Sequence, residues 1–143
     1  GYYTLLPEDP YRSAKEIWEY LRTRFGVEDI GVIVTDSHSL PLRYGAMSVS
    51  IGFFGFAPVE RHVGKPDLFG KLMKYSATNL VDALSAGATL VSGECDECQP
   101  IVIVRGVPNI RFVSSDYREE LLVTLEDDIY KPLLAGFTKS DRE

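Results

Sequence analysis

The alternation of apolar and polar positions divides the chain into stretches with different periods. Tyr2 to Leu6 alternates weakly in β-prone residues and predicts a short strand that stops at Pro7. Asp9-Pro10 then supplies an N-cap with proline at the first helical position. Tyr11, Ala14, Ile17, Trp18, Leu21 and Phe25 recur at helical spacing before the stop signal Gly26, which predicts a helix over residues 10–25. Ile30 to Val34 is a continuous, largely β-branched apolar run, the pattern of a strand covered on both faces, and it is expected to end at Thr35-Asp36-Ser37-His38-Ser39. Met47 to Phe53 predicts a second strand, left through a loop from Phe54 to Pro58.

Arg61 to Lys71 carries Gly64, Pro66, Asp67 and Gly70, a dense turn signal, and Lys71 to Tyr75 has the composition of a further short strand. From about Ser76 the period becomes helical, with Leu80, Leu84 and Val91 on one face, joined by Val81 and Ala88. Ala83, Ala86 and Gly87 are small enough to let that helix approach a sheet closely. Ile101 to Val104 reads as a third buried strand closed by Arg105-Gly106, Asp116 to Leu125 as helical, and a Pro132-interrupted segment ends near Phe137. The last six residues are polar and expected to fray. Strands interleaved with helices and no internal repeat or linker predict one domain over residues 1–143, of α+β class with mixed α/β layers.

Composition adds bounds. With 143 residues, 45% hydrophobic and 25% charged, the chain can bury a core and is not of disordered type. Its formal charge of −6, without a local Lys/Arg cluster, excludes nucleic acid and anionic membrane surfaces as natural partners, since both need a positive field. No apolar run approaches the ~18 residues of a bilayer span, and no charged-then-apolar leader is present. The two cysteines, Cys95 and Cys98, are too few for a secreted disulfide scaffold, which makes a cytoplasmic location the expectation. The chain opens on Gly1, as a processed or excised product would.

Ligands of α/β sheets gather beyond the carboxyl ends of strands, which points to Asp36 and to the loop Gly93–Gln99. A carboxylate at Asp36, held rigid by the strand before it and facing a cleft, suits a hard cation such as Mg²⁺ or Mn²⁺, with Ser37 as a neutral oxygen neighbour. The same two residues equally suit a turn or a helix cap. Arg43, between Pro41 and Gly45, could grip a carboxylate or phosphate, or simply face solvent.

Ser37-His38-Ser39 invites a serine-hydrolase reading, but no Gly-x-Ser-x-Gly elbow is present and the only other histidine, His62, lies in a turn-rich loop. Cys95 and Cys98 make at most half of a closed zinc site, and a thioredoxin-type pair would stand at a helix start rather than after a helix. A polar loop with two incidental thiols is the simpler reading. No Walker-type phosphate loop occurs.

The segment Thr35-Asp36-Ser37-His38-Ser39-Leu40-Pro41-Leu42-Arg43-Tyr44-Gly45-Ala46-Met47-Ser48-Val49-Ser50-Ile51-Gly52 resembles the signature of the coenzyme F420-0:gamma-glutamyl ligase family. That signature reads Ser-Asp-Thr-Phe-Gly-Arg-Pro-Trp-Arg, a variable residue, then Gly-Gln-Thr-Asp-Val-Ala-Ile-Gly, without a gap. Leu5-Leu6-Pro7-Glu8-Asp9-Pro10, Gly64 with Asp67 and Gly70, and Pro100 to Gly106 are similar in order and spacing, so the resemblance covers about residues 3–106. It implies the C-terminal portion of the family's ligase fold, with the N-terminal half lying before Gly1. It also implies GTP- and divalent-metal-dependent joining of L-glutamate to a deazaflavin-type or related carboxylate, through an acyl phosphate.

By the same resemblance Asp36 matches a metal-binding aspartate, Ser37 stands where a metal-binding threonine is usual, and Glu94 stands where a glutamine near the nucleotide and second metal is expected. The loop Ser92, Gly93, Glu94, Cys95, Asp96, Glu97, Cys98 and Gln99 would contribute to nucleotide binding. A homodimer is implied as well. Leu40 replaces the signature's first arginine, Ala46-Met47-Ser48 replaces Gln-Thr-Asp, and His38-Ser39 replaces Phe-Gly; the lost arginine and aspartate are expected to weaken recognition of a polyanionic substrate. The resulting expectation is a divergent ligase whose isolated 143-residue chain is inactive. The alternatives are a non-catalytic metal- or nucleotide-binding or interaction domain on the same fold, and a zinc or redox protein using Cys95 and Cys98.

Overall fold

The computed structural model describes residues 5–136. Helix α1 spans Pro10–Phe25, as its caps dictate. The Asp9 side chain accepts the Arg12 amide at 3.0 Å, and Gly26, at φ 64°, donates its amide to the Arg22 carbonyl at 2.9 Å. Two antiparallel strands follow, β1 (Val32–Ser39) and β2 (Ala46–Phe54), and then a short pair, β3 (Val59–Arg61) with β4 (Ala77–Asn79). Helix α2 (Leu80–Ser92) starts directly from β4, and the rest of the described residues carries only a 3-10 turn at Arg118–Glu120 and a four-residue helix α3 at Lys131–Leu134. Mixed helices and small antiparallel sheets make the class α+β, as expected.

The strand β2 is the spine. Its register with β1 slips between Val34 and Thr35, which leaves Ile51 as an extra residue in a β-bulge. On the Val32–Val34 side of the bulge the ribbon is packed, and beyond it Thr35 to Ser39 are all exposed. Phe54 faces α1 in a cluster with Ala14 and Trp18, the two rings meeting edge to face at 5.0 Å between centroids. Phe53 joins Phe56, Leu80 and Val81 in a second cluster on which Tyr11, Leu84, Ile110, Tyr117 and Leu121 also pack.

Close approach on the α1 side requires glycine: a Cβ on Gly52 would fall 2.5 Å from the Pro10 carbonyl carbon. One on Gly55, whose φ is 96°, would fall 2.4 Å from the Trp18 indole nitrogen. That nitrogen donates instead to the Ile30 carbonyl at 2.9 Å.

Helix α2 closes the other edge of β2 with polar side chains. Ser48 and Ser50 turn their amides away from β1, to the Thr89 hydroxyl and the Asp82 carboxylate respectively, each at 2.9 Å. Asp82 also accepts from the Asn79 side-chain amide at 2.6 Å, while Asn79 accepts the Asp82 backbone amide at 3.1 Å. This is an N-cap whose acidic third residue pairs with the cap side chain and reaches on to a neighbouring strand. The chain returns late to the core, where Phe56 bridges Phe112, and Ala57 and Val113 donate to Arg111 and Gly55 at 2.9 and 3.0 Å.

Several expectations are corrected. The first strand does not end at Thr35 but continues through Asp36, Ser37 and His38 to Ser39, because Ala46 to Val49 supply a partner for each residue. Nor is it covered on both faces, since Val32 to Val34 are only partly buried. Ile101 to Val104 is not a buried strand: it pairs with no strand among the described residues, and Ile101 and Ile103 are 81% and 71% exposed. β-branched content marks a segment able to pair, and pairing needs a neighbour.

Lys71 to Tyr75 forms only an isolated bridge between Leu72 and Pro66, the period taken as helical from Ser76 becomes helix only at Leu80, and Asp116 to Leu125 condenses to the 3-10 turn. Val91, placed on the apolar face of α2, is 57% exposed. With both sheets antiparallel, the rule placing ligands beyond parallel strand ends does not apply. The expected strand at Tyr2 to Leu6 falls largely outside the described residues, and Leu5 and Leu6 are not in a strand. Phe137 and the polar tail lie outside them too.

Three stability changes follow. Gly52→Ala is expected to destabilise by about 1–3 kcal/mol, because it forces β2 away from Pro10. Gly64→Ala, in open space at φ 81°, should cost only about 1 kcal/mol. Asp82→Ala removes the acceptor for Ser50 and is expected to cost about 1–3 kcal/mol. Urea unfolding curves with unchanged slope measure all three.

Candidate functional site

Of the residues singled out by chemistry, the fold brings two together across 57 positions of sequence: the Ser37 hydroxyl lies 2.7 and 3.0 Å from the two Glu94 oxygens, donating to the carboxylate. Ser37 is placed by β1, opposite Ser48 of β2. Ser48 is in turn tied to Thr89 in the last turn of α2. Gly93 ends that helix at φ 76°, its amide on the Thr89 carbonyl at 3.0 Å, and hands Glu94 over toward β1. One helix turn therefore fixes both sides of the pair.

Asp36 is exposed and registers with Val49. Successive strand side chains project to opposite faces, so it stands on the other face of the ribbon from Ser37. Arg43 lies in the exposed tip that joins β1 to β2, where its amide donates to the Leu40 carbonyl at 3.2 Å, and its side chain makes no ion pair among the described residues.

The loop after α2 is acidic and folded on itself. Glu97 accepts the Cys95 amide at 2.8 Å and lies against Gly93, where an added Cβ would meet its carboxyl carbon at 2.0 Å. The Cys95 amide, followed by Glu97's own, holds the Glu97 carboxyl below the ordinary range. Cys98 adopts φ 55°, a left-handed conformation unusual for a residue with a Cβ. Cys95 and Cys98 are free and exposed, as are Asp96 and Gln99, and the Ser92 hydroxyl lies 3.5 Å from the Gly93 carbonyl oxygen.

Among the described residues no group of three or more His, Cys, Asp or Glu side chains gathers closely enough to hold a metal ion. This also leaves Cys95 and Cys98 without a preformed zinc set.

Electrostatics favour a cation here. Glu94, Asp96 and Glu97 follow the C-terminal end of α2, whose unpaired carbonyls carry partial negative charge and whose last turn contains no basic residue. A polyanion such as a nucleotide can approach these carboxylates only through cations that bridge the two. The pair lies on an open surface: surface depressions lined by residues 116–120, and by Trp18, Arg22 and Gly26 to Glu28, are elsewhere.

Residues that sequence reasoning did not single out are Asp82 and Thr89, the polar grips that position α2. The Asn79-x-x-Asp82 capping spacing was the readable signal for the first. The other histidine, His62, stands just past β3 with its Nε2 atom 2.9 Å from the Thr78 hydroxyl and its Nδ1 atom 3.8 Å from Glu60. No helix among the described residues is long and apolar enough to cross a membrane.

Known proteins resemble this chain in sequence. The family model for F420-0:gamma-glutamyl ligase matches residues 1–106. The coenzyme F420:L-glutamate ligase of Methanopyrus kandleri is 44% identical over 107 residues, covering 75% of this chain and 42% of that protein. Those of Methanothermobacter thermautotrophicus and Methanocaldococcus jannaschii are 36% and 35% identical over 131 and 127 residues, covering 92% and 89% of this chain and 52% and 50% of theirs. The chain thus spans about half the length of these relatives. The matched residues include the β1–β2 ribbon, α2 and the acidic loop that together hold Ser37 against Glu94, and the chain belongs to the F420-0:gamma-glutamyl ligase family.

Proposed function

We propose that this chain supplies one side of the site of a GTP- and divalent-metal-dependent ligase that joins L-glutamate to a deazaflavin-type or related carboxylate. The remaining groups would come from the part of the relatives' length that it does not span. The observation that carries this reading is the contact of Ser37 with Glu94, an all-oxygen donor pair beside an acidic loop at a helix C-terminus. Oxygen donors of this kind suit Mg²⁺ or Mn²⁺ rather than a thiophilic metal.

The fit to such an ion is partial. Ser37 and Glu94 converge, while Asp36 on the opposite face would join them only for an ion at the outer edge of β1, the edge that carries no partner strand among the described residues. A bound ion would supply charge neutralisation for phosphoryl transfer. The protein's own part is to hold the Glu94 carboxylate and the Ser37 hydroxyl at fixed spacing and to present the loop Ser92–Gln99 to the nucleotide. Arg43 at the ribbon tip is the candidate for a substrate carboxylate or phosphate. The homodimer belongs to the same proposal, with the outer edge of β1 and the exposed Ile101 and Ile103 as surfaces open to a second copy.

A second reading, a binding domain without catalysis on the same fold, draws on Leu40 and Ala46-Met47-Ser48, which leave the ribbon tip with fewer polar groups than the family signature.

Calorimetry with Mn²⁺ and GTP on a full-length protein carrying this segment tests the leading reading. Glu94→Ala and Ser37→Ala are each expected to weaken Mn²⁺ binding about tenfold or more. Both residues are exposed, so thermal unfolding should stay within about 0.5 kcal/mol of the parent. Unchanged Mn²⁺ binding in both variants would remove the site reading. Binding of Mn²⁺ and GTP without glutamylation would favour the second. The 143-residue chain alone is expected to show no GTP-dependent glutamylation, and robust turnover by it would overturn the incompleteness argument.

A further inference from the structure

We infer that Cys95 and Cys98 form a reversible dithiol modification site, selective for neutral or cationic small-molecule disulfides, that stiffens the loop carrying Glu94. Both thiols are free and exposed, three residues apart on one loop. The chain bends at Glu94, Cys95 and Asp96 and then turns left-handed at Cys98, with φ 55°. The Glu97 carboxylate, from a residue between the two cysteines in sequence, accepts the Cys95 amide at 2.8 Å and lies against Gly93. Both thiols therefore lie on one short, solvent-facing loop. With no third ligand gathered beside them among the described residues, thiol–disulfide exchange is the chemistry this pair can perform unaided by a metal.

The reaction balances with a small disulfide RSSR as oxidant. One cysteine thiolate attacks a sulfur of RSSR, forming a mixed disulfide and releasing RS⁻. The second thiolate then attacks the mixed disulfide at the protein sulfur, closing the Cys95–Cys98 bond and releasing the second RS⁻. The two thiol protons end on the two RS⁻ leaving groups, so RSSR is reduced to two RSH while the dithiol is oxidised by two electrons. An exposed bond in a small ring is readily reduced again, which makes the modification reversible.

Charge sets the selectivity. Glu94, Asp96 and Glu97 flank the thiols and the whole chain carries −6, so an anionic disulfide meets a repulsive field and a cationic one an attractive field. The advantage must shrink with added salt, because these carboxylates are exposed to solvent. Glu94 adjoins Cys95 directly, so ring closure restrains the backbone that brings its carboxylate to Ser37. The consequence for ligand binding rests on the function proposed above, whereas the modification itself does not.

The reduced protein is treated with cystamine or with glutathione disulfide, quenched by alkylation and examined by intact mass and peptide mapping. The expected result is loss of both alkylatable thiols in the monomer, a linked Cys95–Cys98 peptide, and full return of the thiols with dithiothreitol. Cystamine is expected to react about tenfold or more faster than glutathione disulfide at low salt, with the ratio falling as salt is added. Cys95→Ser and Cys98→Ser should each stop at a stable mixed disulfide, since the resolving thiol is gone. Amide hydrogen exchange at Glu94 to Cys98 should slow in the oxidised form.

Stable mixed disulfides on both cysteines, cross-linking between chains, stoichiometric zinc in the purified protein, or a faster reaction with the anionic reagent would each overturn the proposal. Titration of the reduced full-length protein carrying this segment with Mn²⁺ separates the two readings. Absence of Mn²⁺ binding there removes Glu94 as a ligand and leaves the disulfide result standing.

Discussion

The Asp82 carboxylate is the interaction on which the arrangement of this chain turns. One of its oxygens takes the Asn79 side-chain amide and the other the Ser50 backbone amide, so a helix start and a strand edge are fastened by the same group. Seven residues later, Thr89 repeats the grip on Ser48. An edge strand normally offers unpaired amides to any passing partner. Here α2 satisfies them along the outer edge of β2, and that satisfaction fixes both the height and the direction of the helix. Because Thr89, one turn before the Gly93 end of α2, is tied to Ser48, Glu94 emerges beside Ser37.

Hydrogen bonds of this kind contribute about 1 kcal/mol each net, whereas a fully buried large apolar side chain contributes about 1.5–3 kcal/mol. Cohesion therefore comes from Phe53, Phe56, Leu80 and Val81 on one side of β2 and from Phe54, Ala14 and Trp18 on the other. The polar grips decide which of the ways of stacking those side chains is adopted. Glycines at 52 and 55 make the stacking tight, since a Cβ at either would collide with Pro10 or Trp18. The bulge at Ile51 then separates a packed half of the ribbon from an exposed half that carries Asp36, Ser37 and His38.

The exposed half meets a strongly negative loop. Carboxylates at the carbonyl end of a helix are poorly placed unless a cation stands beside them, and no basic side chain fills that role in the last turn of α2. This conflict between local charge and helix polarity is the physical feature that a ligand site would exploit. It also explains why a nucleotide would need bridging ions, and why small cationic reagents should find the neighbouring thiols faster than anionic ones.

The amino-acid sequence by itself determined what is local. Asp9-Pro10 and Gly26 bound α1 at both ends because capping and φ restriction act within a few residues. Most of β2 and the buried Ala14 and Trp18 of that helix follow from periodicity, whereas Ile17 and Phe25 of the same stripe are exposed. The signature resemblance identified the family because it is a gapless string of residues in one segment. What only the tertiary structure decided is everything that needs a distant neighbour. Thr35 to Ser39 became strand because Ala46 to Ser50 lie alongside, and Ile101 and Ile103 stayed exposed because no strand among the described residues does. Ser37 and Asp36, adjacent in sequence, were separated by the pleat, while Ser37 and Glu94, far apart in sequence, were joined by α2. Spacing along a chain records which residues share an element, and the packing of elements decides which of them meet.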